Sequence, residues 1–277
     1  MRLRVGCSGW SYPEWVGPFY PRGTQSGDFL KHYARVFDVV EVDSTFYAVP
    51  DPSRVERWRK ETPEGFVFCA KLPQEVTGGR RTPPASGKAP AEPPAAEVLG
   101  EFLHAIDRLG DKRGPLVAQF PPSYGKKGHA EEFRGLLDGL GGRRCAFEFR
   151  HESWFEPATY RALTEANAAL VWSEVAGVEV PPQVTADFAL VRFIGDRSFE
   201  PAGRTVERND PAMARWALRL EEHEEGLKDG FVFFNNHFEG FGPESVNRFL
   251  SKVGRSPVDW RSLLEGGGPA QRRLGEF

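Results

Sequence analysis

Residues 145–155, CAFEFRHESWF, carry the pattern that decides the fold. The first five are apolar apart from Glu148, as in a short strand. Side chains alternate between the two faces of a strand, so Glu148 and Arg150 share one face while Phe147 and Phe149 take the other. A strand that is apolar on both faces is typical of a parallel sheet covered by helices. Polar residues follow at once, where such a strand ends.

The same pattern recurs along the chain. The candidate strands are residues 3–7, 38–42, 66–71, 116–120, 145–149, 168–172, 188–193 and 231–234. Helical patterns lie between most of them, at residues 28–37, 53–61, 98–109, 130–140, 157–167, 211–225 and 244–253. About eight strand–helix units in 277 residues predict an α/β fold, a single TIM (β/α)8 barrel formed by residues 1–277. An open doubly wound sheet is the alternative, because periodicity does not show closure.

Two segments depart from this alternation. Residues 175–183, VAGVEVPPQ, offer no helix, so one βα unit is predicted to be degenerate. Residues 78–94, GGRRTPPASGKAPAEPP, are rich in Gly, Pro and charge, and predict a flexible loop after the third strand. This loop is either a lid over a site or a plain solvated excursion. It accounts for part of the excess of glycine (30) and proline (23).

Composition limits the classes of protein. With 40% hydrophobic and 27% charged residues the chain is globular, and its net charge of -3 gives no general attraction to nucleic acid or anionic lipid. Cys7, Cys69 and Cys145 lie in apolar runs and are predicted to be reduced core thiols. No apolar stretch has the length of a signal peptide or a membrane span. We therefore expect a soluble cytoplasmic protein.

Charged side chains gather at the ends of the candidate strands and are nearly absent from the starts. Such a charge is costly inside a barrel unless it faces the polar mouth and is paired there. The residues concerned are Glu41, Asp43, Lys71, Glu148, Arg150 and Arg192. We interpret Glu148, Lys71 and Asp43 as catalytic acid–base groups, with Arg150 and Arg192 holding an anionic group of the substrate. The alternative is a salt-bridge layer that fixes strand register, which suits Glu41 and Arg192, the deepest pair, best.

Further polar and aromatic residues surround the same mouth. The remaining predicted substrate-binding residues are Ser8, Trp10, Tyr47, Gln119, Trp154, Asn235, Asn236 and His237. An aromatic rim can stack on sugars or bases, and ordinary packing beneath loops would explain it equally well. Both interpretations stay open at this stage.

No cofactor or metal site is predicted. Gly6 and Gly9 do not form a dinucleotide fingerprint, and no H-E-x-x-H metal motif or G-x-S-x-G nucleophile motif occurs. Ser8, Ser44 and Thr45 are therefore nucleophile candidates by exposure alone. A divalent metal is a minor hypothesis. Its ligands would be His151, His237, Glu148 and Glu174, and the nearby Lys and Arg count against it.

Seven blocks make the chain resemble a known family. They are GCSGWSYPEW (6–15), VEVDSTFY (40–47), FVFCAKLPQEVT (66–77), GPLVAQFPPSY (114–124), CAFEFRHESWF (145–155), TADFALVRFIGDRSF (185–199) and FFNNHFEG (233–240). Together they resemble the YecE-like family, domain of unknown function 72, over nearly the whole chain. The resemblance implies a single TIM barrel and no established activity.

The resemblance also marks strand-end positions. Those that match are Ser8, Gly9, Trp10, Glu41, Ser44, Thr45, Phe46, Tyr47, Lys71, Gln119, Pro121, Pro122, Glu148, Arg150, Trp154, Asn235 and Asn236. Two positions depart from the family pattern. Asp43 stands where the family usually has Asn, and Gly78 stands where His is common, which argues against a mechanism with that His as the essential base.

Three functions follow as hypotheses. The first is an enzyme of hydrolase or isomerase type, acting on a small anionic, phosphorylated or sugar-like substrate at the mouth. The second is a nucleic-acid-binding or phosphodiester-processing barrel, with phosphate contacts from Arg80, Arg81, Lys88, Lys126 and Lys127. The third is a non-catalytic protein that binds a metabolite or partner. No membrane partner is expected.

Overall fold

A computed structural model describes residues 1–78, 94–195 and 203–265 of the chain. The strands are β1 (Arg2–Ser8), β2 (Val39–Val42), β3 (Val67–Ala70), β4 (Leu116–Gln119), β5 (Cys145–Glu148), β6 (Ala169–Leu170), β7 (Trp172–Glu174), β8 (Phe188–Phe193) and β9 (Asp229–Phe234). The helices are α1 (Phe29–Val36), α2 (Pro52–Glu61), α3 (Ala95–Ile106), α4 (Lys126–Gly139), α5 (Pro157–Glu165), α6 (Asp210–Glu222), α7 (Asn236–Glu239), α8 (Gly242–Lys252) and α9 (Trp260–Glu265). Strands and helices alternate as predicted, which confirms an α/β protein.

The strands form two parallel sheets. One has six strands in the order β3-β2-β1-β9-β8-β7, and the other has three in the order β4-β5-β6. The sixth predicted strand is divided at Val171, so that β6 pairs with β5 while β7 pairs with β8. One stretch of chain therefore belongs to both sheets.

Two apolar clusters cover the two faces of the strands. The larger one joins the helices to one face of the sheets. The other, which we call the inner cluster, consists of strand side chains and Val171 between two strands: Val39, Cys69, Val117, Ala146, Ala169, Val171, Phe188, Leu190, Phe231 and Phe233. Both sheets contribute to this single cluster, so their inner faces meet. The apolar character of both strand faces, read from the sequence, has this origin.

The helices follow local signals. Asp51 caps α2, its Oδ1 accepting from the Ser53 amide at 2.8 Å, and Pro52 takes the first helical position. Residues 175–187 are all described and contain no helix, as predicted for one degenerate unit. Two helices, α7 and α9, were not predicted because each is too short to show a period.

Three further expectations are settled or limited by the structure. Cys7, Cys69 and Cys145 are buried free thiols, as predicted. Residues 78–94, predicted to form a flexible loop, lie outside the described residues except for Gly78 and Pro94. In the described part of the chain, no helix is both long and apolar enough to cross a membrane.

The expectation that charges are nearly absent from the strand starts is wrong. Arg4 Nη1 donates to Asp38 Oδ2 at 2.6 Å, just before β2 begins. Arg144, which precedes β5, donates to Asp229 Oδ2 at 2.9 Å, and Arg2 donates to the other carboxylate oxygen at 3.1 Å. Arg2, Arg144 and Asp229 lie outside the predicted strands, whereas Arg4 and Asp38 lie within the first residues of theirs. Ion pairs therefore also link side chains at the amino ends of the strands.

A tyrosine hydroxyl completes the pairing of β1 with β2. Tyr33, on α1, accepts from the Cys7 amide at 2.8 Å and donates to the Val39 carbonyl at 2.9 Å. At Gly6 the strands come so close that a Cβ atom would lie 2.3 Å from the Val39 oxygen. The hydroxyl thus satisfies two buried backbone groups that the strands leave unpaired with each other.

We expect Tyr33→Phe to lower the free energy of unfolding by about 1–3 kcal/mol, because it leaves a buried amide and a buried carbonyl without a partner. Urea denaturation checks this. Tyr160→Phe, on the partly exposed face of α5, is the matched control and should change stability by less than about 0.5 kcal/mol. Equal effects of the two variants would contradict the bridging role.

Candidate functional site

Arg192, near the end of β8, is the centre of a buried charged cluster. Its Nε lies 2.6 Å from Glu41 Oε1, and its Nη2 donates to Glu41 Oε2 at 2.7 Å. Its Nη1 donates to Glu148 Oε2. One guanidinium on β8 therefore joins the carboxylates of Glu41 on β2 and Glu148 on β5. The Arg192 side chain is 3% exposed, and both carboxylates are fully buried. A planar guanidinium can contact two carboxylates at once, which the ammonium of lysine does less well.

A second arginine extends the cluster towards solvent. Arg150 Nε donates to Glu148 Oε1 at 2.8 Å, so each oxygen of Glu148 is held by a different guanidinium. The side chain of Arg150 is 22% exposed. In the described part of the chain no other hydrogen bond or ion pair engages Arg150, so the two Nη groups of its fork are available for a ligand.

Lys71, Asp43 and Gln119 form the other side of the cluster. Lys71 Nζ lies 3.3 Å from Asp43 Oδ1 and donates to Gln119 Oε1 at 2.9 Å. Gln119 Oε1 also accepts from Arg192 Nη1 at 3.1 Å. Because two cations hold the amide oxygen, the amide NH2 group must point away from them. Lys71 Nζ also lies 4.4 Å from the centre of the Phe46 ring, a cation–π contact.

The two buried glutamates have opposite pKa shifts. Burial acts to raise the pKa of Glu148, but Arg192 and Arg150 together outweigh it and lower the value to about 2. Burial raises the pKa of Glu41, Asp43 acts in the same direction, and Arg192 opposes them. The two pKa values shift in opposite directions because the two carboxylates have different numbers of neighbouring cations. Glu148 contacts two guanidiniums, whereas Glu41 shares one with Glu148.

The structure brings six predicted residues together: Asp43, Lys71, Gln119, Glu148, Arg150 and Arg192. Arg192 Nη2 lies 3.7 Å from Asp43 Oδ1 as well, which links the two halves of the cluster. With Glu41 included, the cluster has three positive side chains and three negative ones, while Gln119 is neutral. The positive ones are Lys71, Arg150 and Arg192, and the negative ones are Glu41, Asp43 and Glu148. The sequence prediction of a mixed-charge cluster is therefore confirmed in its geometry, while the catalytic roles stay predictions.

The aromatic candidates divide between surface and core. Tyr47 is 60% exposed, and Trp10 is half-buried, with its ring centre 5.4 Å from the Trp58 ring centre in an edge-to-face contact. Trp154 does not fit its predicted role in substrate binding. It is fully buried, stacks on Phe149 at 4.7 Å and donates Nε1–H to the Tyr124 carbonyl at 2.6 Å. The single helical turn Glu152–Trp154 directs the ring into the core.

The polar candidates after β1 and β9 have structural contacts. Asn236 is buried, and its Oδ1 accepts from the Gly242 amide at 2.9 Å, so a substrate contact does not fit it either. Asn235 is half-buried and caps α7, accepting from the His237 amide at 3.0 Å. Ser8 is buried at the end of β1, and His237 is half-buried. Asn235 and His237 keep partial access at the strand ends.

The minor metal hypothesis finds little support in the donor set. Glu148 is engaged by two arginines, and Glu174 Oε2 accepts from Arg215 at 2.6 Å and Trp216 at 2.8 Å. Among the described residues, no group of three or more His, Cys, Asp and Glu side chains could hold a metal ion. The positive charge of the neighbouring arginines also opposes a cation at Glu148.

Thr45 and Ser173 have roles that the functional interpretation of the sequence did not give them. Thr45, named there as a nucleophile because of its expected exposure, is buried, and its hydroxyl is shared between the Lys71 carbonyl at 2.7 Å and the Val42 carbonyl at 2.9 Å, which fixes the backbone beneath Lys71. Ser173, on β7, is paired in register with Arg192. The alternation of Ser173 with Val171 was the available signal, since residues two apart on a strand share a face.

The fold and the site define an α/β protein of parallel strands that gathers opposed charges at the carboxyl ends of those strands. The chain belongs to the DUF72 family, described as protein of unknown function DUF72, which matches residues 4–266. This confirms the resemblance found in the sequence.

Relatives in two bacteria support the assignment. The UPF0759 protein YunF of Bacillus subtilis (strain 168) is 30% identical over 271 residues, covering 90% of this chain and 93% of YunF. The UPF0759 protein YecE of Escherichia coli (strain K12) is 31% identical over 154 residues, covering 55% of this chain and 50% of YecE.

Two solved structures share the fold. A DUF72 family protein from Thermotoga maritima MSB8 has a TM-score of 0.75 and 25% identity, covering 92% of this chain and all of that chain (100%). A DUF72 family protein from Enterococcus faecalis V583 has a TM-score of 0.71 and 22% identity, covering 92% of this chain and 98% of that chain. The second likeness shows the fold alone.

We expect Glu148→Gln to lower the free energy of unfolding at pH 7 by about 3 kcal/mol, because it leaves Arg192 with one buried carboxylate. The pKa of Glu148 is about 2 in the folded protein and 4.5 ordinarily, so the stabilisation by its charge is present above pH 4.5. This stabilisation is lost as the pH falls through 2.

Urea denaturation from pH 7 down to about 2.5 measures the effect. The difference between wild type and Glu148→Gln should shrink as the pH falls, because protonated Glu148 resembles Gln. Glu152→Gln removes an exposed carboxylate at the same end of the strands and is the control. A difference that stays constant with pH would mean that the charge of Glu148 does not stabilise the fold.

Proposed function

We propose that the two parallel sheets form one closed eight-stranded TIM barrel. Support comes from both seams between the sheets. At one seam, the Gly114 amide donates to the Phe68 carbonyl at 2.8 Å and the Leu72 amide donates to the Val117 carbonyl at 2.9 Å, which pairs β3 with β4. At the other, Val171 lies between β6 and β7, and its amide donates to the Phe147 carbonyl on β5 at 2.9 Å. The next residue, Trp172, is paired with β8 in the other sheet. The shared inner cluster is the third support.

Closure predicts slow hydrogen exchange at the first seam. In the closed barrel, the Leu72 and Gly114 amides should exchange as slowly as those of a central strand, such as Val5 and Val232 on the paired strands β1 and β9. In an open sheet, β3 would be an edge whose amides exchange fast. Amide exchange followed by NMR distinguishes the two, and exchange at Leu72 as fast as in exposed loops would refute closure.

We propose further that the protein is an acid–base enzyme, of hydrolase or isomerase type, for a small anionic substrate at the carboxyl ends of the strands. One observation carries this proposal. Arg192 pairs with the two deepest carboxylates, while Asp43 and Arg150 are partly exposed beside it and Lys71 is buried next to Asp43. Ligands in barrels of parallel strands bind at this end.

The Lys71–Asp43 pair is the better candidate for proton transfer. An ammonium and a carboxylate 3.3 Å apart can donate and accept a proton, and Asp43 is 25% exposed. Glu148, also predicted to be catalytic, suits the task less well. It is fully buried, and with a pKa of about 2 it carries no proton near neutral pH and is a weak base. In our proposal Glu148 orients Arg150.

Arg150 and Gln119 suit the binding of an anion. The free fork of Arg150 can take two oxygens of a carboxylate or phosphate in parallel hydrogen bonds. Gln119, whose oxygen is fixed by Lys71 and Arg192, presents N–H donors on the adjacent strand. The half-buried Trp10 and the exposed Tyr47 offer an apolar surface for the rest of a sugar-like substrate.

The nucleic-acid alternative has weaker support. Lys126 Nζ contacts the Glu156 carboxylate, which neutralises one of the predicted phosphate contacts. Arg80, Arg81 and Lys88 lie outside the described residues. Binding to single-stranded oligonucleotides that weakens steeply with salt would favour this alternative over the acid–base enzyme.

A turnover screen with sugar phosphates, hydroxy acids and sugar acids tests the enzyme proposal. For any substrate that the wild type converts, we expect Asp43→Asn to lower kcat about 10²-fold or more while KM changes little. Arg150→Met should raise KM instead, because it removes the anion contact.

The controls separate catalysis from binding. Glu152→Gln should leave kcat and KM unchanged, since Glu152 is exposed and outside the cluster. If Glu148→Gln abolishes turnover while Asp43→Asn does not, Glu148 is the acid–base group and our assignment is wrong. Anion binding with no turnover across the screen would instead support the non-catalytic metabolite-binding protein.

A further inference from the structure

Ser173 has a buried hydroxyl. The residue is 2% exposed, and no hydrogen bond to its Oγ is found in the described part of the chain. The buried hydroxyl of Thr185 is satisfied. Thr185 Oγ1 donates to the Ala168 carbonyl at 2.7 Å and accepts from the Leu170 amide at 2.8 Å. A buried unpaired hydroxyl is destabilising, so a ligand that pairs with Ser173 gains affinity.

The side chain of Ser173 faces the charged cluster. Its neighbours Trp172 and Glu174 both point to α6, where Trp172 stacks on Trp216 at 5.9 Å and Glu174 accepts from Arg215. Successive side chains on a strand alternate between faces. Ser173 therefore lies on the opposite face, together with Val171 of the inner cluster.

The strand register relates Ser173 to two arginines. Its register partner on β8 is Arg192. On the other side, Ala146 is paired with Ala169 and Phe147 with Leu170, and continuing this register along the chain places Arg150 level with Ser173. An unpaired hydroxyl can donate its proton to an anion. Ser173 is thus suited to donate to an anion that Arg150 binds.

We propose that Arg150 and Ser173 together bind a tetrahedral oxyanion, so that the substrate of this site is a phosphomonoester and not a carboxylate. This inference rests on the proposed anion site at Arg150. The arginine fork takes two oxygens, Ser173 takes a third, and the Gln119 amide lies on the next strand along. A carboxylate has two oxygens and leaves Ser173 unpaired, whereas a phosphate monoester has three terminal oxygens.

The test compares propyl phosphate with butanoate, which carry the same propyl group on different anions. Isothermal titration calorimetry on the full chain should show tighter binding of propyl phosphate. Ser173→Ala should weaken propyl phosphate about tenfold, the usual effect of one hydrogen bond to a charged group, and leave butanoate unchanged. Ser123→Ala, an exposed serine after β4, is the control and should change neither.

Arg150→Met separates this inference from the proposed function. If neither anion binds the wild type, or if Arg150→Met has no effect on binding, the proposed anion site is wrong. If both anions bind through Arg150 but Ser173→Ala weakens them equally or not at all, the anion site stands and the phosphate preference is overturned. Tighter binding of butanoate than of propyl phosphate overturns it as well.

A stability measurement guards against an indirect effect of the substitution. Without ligand, Ser173→Ala should melt at or above the wild-type temperature, because it removes a hydroxyl that no described residue pairs with. A lower melting temperature would show that Ser173 supports the fold, and weaker phosphate binding by this variant would then count against direct contact.

Discussion

The guanidinium of Arg192, buried between Glu41 and Glu148, is the interaction on which the site depends. Burying a charge is costly unless it is paired with good geometry, and here two carboxylates hold one arginine from opposite sides. With one positive charge between two negative ones, the arrangement is stable only if further cations stand nearby. Arg150 and Lys71 supply them, and they lie closer to solvent.

This requirement explains the form of the rest of the site. One carboxylate oxygen of Glu148 accepts from Arg192 and the other accepts from Arg150, which holds the Arg150 fork in one orientation. Gln119 joins Lys71 to Arg192 through a single amide oxygen. Groups that would contact a ligand are therefore held in place by groups that do not, as precise binding requires.

The sequence predicted much of this arrangement and failed at identifiable points. Strand and helix periods gave the α/β alternation, and parity placed Glu148 and Arg150 on one face. Trp154 and Asn236 were misjudged because position after a strand does not tell whether a side chain turns inward or outward. The ion pairs of Arg4 and Arg144 were missed because their partners lie far along the chain.

The sequence by itself determined what is local: where strands run, which residues share a face, and that charges follow at the strand ends. Only the tertiary structure decided which charges meet. Arg192 contacts Glu41, 151 positions away, and Glu148, 44 positions away. It also showed that the Ser173 hydroxyl has no hydrogen-bond partner among the described residues, while the Gln119 amide oxygen contacts two cations. The physical reason is that periodicity acts over neighbouring residues, whereas a pairing between distant strands depends on the order in which they assemble.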